Sequence, residues 1–155
     1  MNLGIITCYA NTQDLACSSF GCLQDVYEGK GAFSVYGGEA RLVGIINCGG
    51  CATIAAPEKL LKRIRSLTEL KPDVIHLSNC MLNLCPFVNK NYRLLANRFP
   101  HIRFVKGTHR MPAGLSDAEV KQHHRILVKD MIVQGKTAAD LIPILYQPSD
   151  HSRDG

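Results

Sequence analysis

The chain has 155 residues, 46% of them hydrophobic and 20% charged, with 18 basic against 13 acidic side chains and a formal net charge of +5. That length suffices for one domain with a core of its own, and no stretch reaches the roughly 18–20 apolar residues a membrane span requires. The N-terminus MNLGIITC has no basic leader ahead of a long apolar region, so no signal peptide is expected and the chain reads as cytoplasmic.

Residues 2–7, NLGIIT, are a short apolar run of the kind a buried strand requires, and RLVGIIN at 41–47 is a second. Between them, LACSSFGCLQDVYEGKG predicts a helix ending at Gly29 or Gly31. AFSVY follows as a short extended piece, with a turn at Gly37 and Gly38. After CGGC, Pro57 opens a helix over PEKLLKRIRSLTEL. Its apolar stripe is Leu60, Leu61, Ile64 and Leu67, while Lys59, Lys62, Arg63 and Arg65 lie mostly on the wet side. This is the densest basic run, and a solvated face explains it. With no tryptophan and no aromatics interleaved with basic residues, nucleic acid is not the expected partner.

DVIHLS at 73–78 predicts a third strand and NCMLNLCP a loop. FVNKNYRLLANRF predicts a helix stopped before Pro100, and IRFVKGTH at 102–109 a fourth strand. Ser116 and Glu119 form a capping box for a last helix that stops at Gly135. Strands apolar throughout and alternating with helices indicate an α/β fold. The expectation is an open doubly wound sheet of Rossmann or flavodoxin-like kind, mainly parallel, of about four strands with helices on both faces. The domain spans 1–145, and residues 146–155 read as a flexible tail.

Seven cysteines are the unusual feature. Reducing conditions argue against a disulfide framework, and an odd number cannot pair completely within one chain. A buried cysteine is often only a small hydrophobe, but the positions here are not random. In an open α/β sheet, ligands bind beyond the carboxyl ends of the strands. Cys8 follows the first strand, Cys48 and Cys51 the second, Cys80 and Cys85 the third, and His109 closes the fourth. Cys17 and Cys22 belong to the segment leaving that edge, whereas His101 stands at the opposite one. C-x-x-C lets two sulfurs grip one ion, and Gly49 and Gly50 permit the tight turn between them. A helix N-terminus just beyond would favour thiolate.

The ordered set IITCYA, ACSSFGCLQ, GAFSVYGG, LVGIINCGGC, VIHLSNCM with CP after it, and KGTH resembles the CGGC-domain proteins over nearly the whole chain. That resemblance implies a small α/β protein with a metal site. The matching positions are Cys8, Cys17, Cys22, Cys48, Cys51, Cys80, Cys85, His76 and His109.

The expected function is metal binding, in a redox or metal-sensing role. Zinc is the first candidate and an iron–sulfur cluster the alternative. Cys8, Cys17, Cys22, Cys48, Cys51, Cys80, Cys85 and His109 are the candidate ligands, more than one ion needs. The competing class is a thiol–disulfide oxidoreductase using Cys48 and Cys51. A third reading makes CGGCAT an anion-binding turn assisted by Lys106 and Arg110. For His76, a core histidine bonded to backbone stands beside a role in orienting a ligand. His123 and His124 read as solvent-exposed, and His151, in the tail, gets no role.

Overall fold

The computed structural model of the protein describes residues 1–51, 56–110, 114, 116–135 and 140. Four strands form a single parallel sheet: β1 (Asn2–Thr7), β2 (Arg41–Asn47), β3 (Val74–Leu77) and β4 (Arg103–Lys106), in the order β2-β1-β3-β4. The open, mainly parallel α/β architecture expected from the sequence is the one observed. β1 and β3 are central and buried beyond Asn2, apolar but for Thr7 and His76, whereas β2, at the edge, is half-buried along most of its length.

Helices cover both faces. Leu60, Ile64 and Leu67 of α2 (Pro57–Thr68), Met81 of α3 (Asn79–Leu84) and Leu95 of α4 (Val88–Arg98) close one core layer with Ile6, Ile75 and Leu77. Cys22 and Val26 of α1 (Phe20–Glu28), together with Phe33, close the other over Leu3, Ile5 and Val74. The stripe predicted for α2 is buried at Leu60, Ile64 and Leu67. Pro57 stands at its start, where a missing N–H costs nothing. α5 (Asp117–Gln134) opens on the predicted capping box. The Ser116 N–H and hydroxyl both donate to Glu119 Oε2, and the Glu119 N–H returns to Ser116 Oγ. Gly135, at φ +65°, ends it.

Three local expectations are corrected. The helix predicted across residues 15–31 begins only at Phe20. A π-helix (Ala10–Asp14) and an irregular loop precede it, so Cys17 is on the loop and Cys22 on the helix. AFSVY is not extended: Gly31–Tyr36 is a 3-10 helix, because Gly31 (φ +56°) and Gly37 (φ +56°) bend the chain at both ends. NCMLNL is not a loop but α3, whose first turn follows β3 directly, with Cys80 on it and Cys85 as its C-cap. Residues 52–55, the tail 146–155 and the side chains of His123 and His124 lie outside what is described.

Candidate functional site at the carboxyl end of the sheet

The carboxyl ends of β1, β2 and β3 lie side by side, and the ladder continues one residue past each of two of them. The Cys48 N–H donates to Thr7 O at 2.9 Å and the Ser78 N–H to Ile6 O at 2.9 Å. These bonds bring Cys48 and the start of α3 to either side of the turn that leaves β1. Two consecutive amides of that turn then point at sulfur. The Cys8 N–H donates to Cys80 Sγ and the Tyr9 N–H to Cys48 Sγ, each at 3.4 Å. Cys80 Sγ also lies 2.9 Å from Ser78 Oγ. Cys8, Cys48 and Cys80 are 8, 8 and 7% exposed and pack into the core layer under α2, α3 and α4.

Glycine makes this geometry possible. Gly49 (φ +86°) and Gly50 (φ +96°) hold the left-handed region between Cys48 and Cys51. The Gly49 N–H is fixed on Asn47 Oδ1. The result is an unequal pair, with Cys48 buried and Cys51 exposed. Cys85, half-buried, completes this group: charge on Cys48 or Cys51 opposes its ionisation, as charge on Cys48 or Cys85 opposes that of Cys8.

Burial dominates the acid–base chemistry. It raises the Cys8 and Cys85 thiols above their ordinary value and pushes Cys80 up to about 12, against the hydrogen bonds from Ser78 and the Cys8 amide. At neutral pH these groups are thiols.

Cys22 of α1 packs in the other core layer, beside His109, and its charge still opposes ionisation of Cys80. Cys22 Sγ is 3.4 Å from Thr108 Oγ1 and 3.6 Å from His109 Nδ1. Burial pushes the Cys22 thiol up to about 11 and lowers the His109 imidazole, so the two meet as neutral partners. Sequence reasoning missed what clamps this segment. Asn79 Oδ1 accepts the Thr108 N–H, while Asn79 Nδ2 donates to His109 O. Fully buried Asp25 accepts the Arg110 backbone N–H and, at 2.9 Å, its Nε–H. The signal available was a polar Asn directly after an apolar strand and a lone Asp on the apolar side of α1.

His76 has both ring nitrogens engaged. Nδ1–H donates to Gly107 O at 2.7 Å, and Nε2 accepts the Tyr36 hydroxyl at 2.7 Å. It sits against Phe33, on the layer away from Cys48 and Cys80, and burial lowers its pKa. The core-histidine alternative describes it. Lys106 and Arg110 also have structural partners: Lys106 Nζ donates to Asn89 Oδ1 and lies over the Tyr92 ring, and Arg110 pairs with Asp25 and Glu28. His101, exposed at the other end of β4, stacks edge-on with Phe99.

Among the described residues, no three Cys, His, Asp or Glu side chains come together closely enough to hold one ion between them, and all seven cysteines are free. No helix of the described residues is long and apolar enough to cross a membrane. Neither the curated proteins nor the solved structures give a match. The CGGC domain model matches residues 2–109, a span that runs from β1 through Cys8, the CGGC turn and Cys80 to His109. The chain belongs to the CGGC domain family.

Proposed function

We propose that the carboxyl end of the sheet is a soft-metal site. Cys8, Cys48 and Cys80 would hold the metal, with Cys51 or Cys85 as the fourth donor. The observation that carries this reading is the pair of successive amides, Cys8 N–H and Tyr9 N–H, each aimed at a sulfur of the segment that follows the strand on either side. Amides donating to sulfur stabilise negative charge there, as hydrogen bonds to metal-bound thiolates do. The donor set fits zinc, and an iron–sulfur cluster as the alternative, by chemistry. It does not fit as a finished cage, because no three of these groups converge as they stand. Side-chain rotation would have to close it. Zinc held by four thiolates has no open position and acts as a structural or sensing centre. Because Cys8 and Cys80 are protonated at neutral pH, binding must expel protons, so affinity rises with pH.

The test is elemental analysis and a visible spectrum on protein purified without oxygen. Metal near one equivalent in the wild type, lost in Cys48→Ser and Cys80→Ser but kept in Cys22→Ser and His101→Ala, supports the site. Unchanged metal content in Cys48→Ser would remove it.

A second reading rests on a different observation, the exposure of Cys51 beside buried Cys48. In it, Cys51 attacks a substrate disulfide and expels one thiolate. Cys48 then attacks Cys51 sulfur and expels the other. The substrate is reduced to two thiols, and Cys48 and Cys51 are oxidised to a disulfide. Absence of any bound metal, with a Cys48–Cys51 disulfide forming in a glutathione redox buffer, would favour this reading.

A further inference from the structure

We propose that a cleft at the outer edge of the sheet, beside β2, binds a small oxyanion, a carboxylate or phosphate group. Arg63 is its counter-charge and the Cys17 thiol stands at its wall. The proposal is independent of whether metal binds at Cys8, Cys48 and Cys80.

The cleft measures about 420 Å³ and lies over the ends of β1 and β2. Ser18 and Asn47 add a hydroxyl and an amide to its lining, while the Thr7 and Thr12 hydroxyls there donate to backbone carbonyls of Ile46, Cys8 and Tyr9; Arg63 is the cation, with no Asp or Glu among the described lining residues. Arg63 differs from its neighbours on α2. Lys59, Lys62 and Arg65 are exposed, whereas Arg63 is half-buried and turned so that Nη1 donates to Asn47 Oδ1 at 2.9 Å. A guanidinium has five N–H donors in a fixed fork suited to carboxylate and phosphate, and this bond uses one of them. No carboxylate pairs with Arg63 among the described residues. Asn47 Oδ1 also accepts the Gly49 N–H, so the acceptor that orients Arg63 is itself fixed.

The opposite wall is held in uncommon backbone conformations. Ala16 (φ +52°) and Ser19 (φ +60°) are left-handed residues that are not glycine, and they bracket Cys17 and Ser18. Each costs on the order of 1–3 kcal/mol unless its surroundings impose it. The π-helix Ala10–Asp14 brings Thr12 to the cleft, and the Cys17 N–H is tied to that helix through Asn11 O at 2.8 Å. Single-turn π segments are rare and concentrate at functional sites. An open, carboxylate-free cleft, an oriented cation and a wall held in costly conformations together describe a place built for an anion.

Iodoacetate and iodoacetamide test this, because both alkylate a thiolate and only the first is anionic. The ratio of their rates at one cysteine cancels its thiolate fraction. Site-resolved mass spectrometry should give a ratio at Cys17 several-fold above that at Cys85, which does not line the cleft, and at least a threefold fall in Arg63→Gln. Inorganic phosphate or succinate should slow carboxymethylation of Cys17, and the one effective at lower concentration identifies the class of ligand. Equal ratios in wild type and Arg63→Gln, or no protection by either anion, would overturn the proposal. Should Arg63→Gln fail to fold, Ser18→Ala decides: weakened protection supports the site, and protection unchanged from wild type counts against it.

Discussion

Gly4 and Gly44 are paired neighbours on β1 and β2, and Leu67 of α2 rests on both. A Cβ at Gly4 would stand 2.8 Å from Leu67 Cδ2 and 3.2 Å from Ile75 Cγ1. One at Gly44 would stand 2.8 Å from Leu67 Cδ1 and 3.3 Å from Leu70 Cδ1. Overpacking of this kind costs about 1–3 kcal/mol, offset by about 0.4–1 kcal/mol from the reduced freedom of the unfolded chain. Gly44→Ala should therefore destabilise by about 0–2.5 kcal/mol. Leu67→Ala empties a fully buried position and should cost about 2–5 kcal/mol. In the double variant the 2.8 Å contact is gone, so the two losses should not add. A favourable coupling of about 1–2 kcal/mol is expected, well outside the roughly 0.3–0.5 kcal/mol within which independent sites add. Urea unfolding under reductant and chelator measures it, with the denaturant slope unchanged across the cycle. Additive losses would mean that a Cβ at Gly44 does not press on Leu67. The seat matters to the site because it fixes where α2 lies, and with it the span the chain must cross from Cys51 to Pro57.

Other outcomes follow from burial and charge. At pH 8 Cys80, with its thiol pushed up to about 12, should hold about a thousandth of the thiolate of an ordinary cysteine. Native-state alkylation should therefore modify exposed Cys51 and spare Cys80 until the protein unfolds, and rapid labelling of Cys80 would contradict its burial. The urea midpoint should form a plateau in pH. Below about 6.5 the unfolded chain takes up protons that buried His76 and His109 refuse, so stability falls as pH falls. Above about 9 unfolded thiols ionise while Cys22 and Cys80 stay protonated, so stability falls again as pH rises toward about 11. A midpoint that keeps rising above pH 9 would contradict this. Gly31→Ala should cost more than about 2 kcal/mol, since φ is +56° and the new Cβ would meet Thr108 O at 2.5 Å and Arg110 N at 2.9 Å, backbone atoms that cannot rotate away. A wild-type thermal midpoint would refute it.

Much of this was legible in the sequence because the signals were local. NLGIIT and RLVGIIN are apolar runs with polar ends, and the strands occupy those same residues. Pro57 and the Ser116–Glu119 pair mark helix starts by chemistry that needs no tertiary partner. The order of cysteines after strands told which end of the sheet carries them. It could not tell which face, and that is why Cys22 and His109 fell on the α1 side while Cys48 and Cys80 packed under α2, α3 and α4. α3 reads as a loop in the sequence because six residues, ending two short of Pro86, carry too little periodicity to distinguish a helix from a loop. A glycine inside each of two strands was a sign of close approach that apolar patterning alone does not read. Arg63 reads as one more cation on a wet face, and its half-burial and the bond to Asn47 separate it from the others.

Zinc K-edge X-ray absorption on protein loaded with one equivalent of zinc reads the donor atoms around the metal. At least three sulfurs at about 2.3 Å are expected around the zinc, and Cys80→Ser, which loses the site, should take up no zinc. A shell dominated by nitrogen and oxygen at about 2.0–2.1 Å, or a wild-type protein that takes up no zinc, would contradict the soft-metal site.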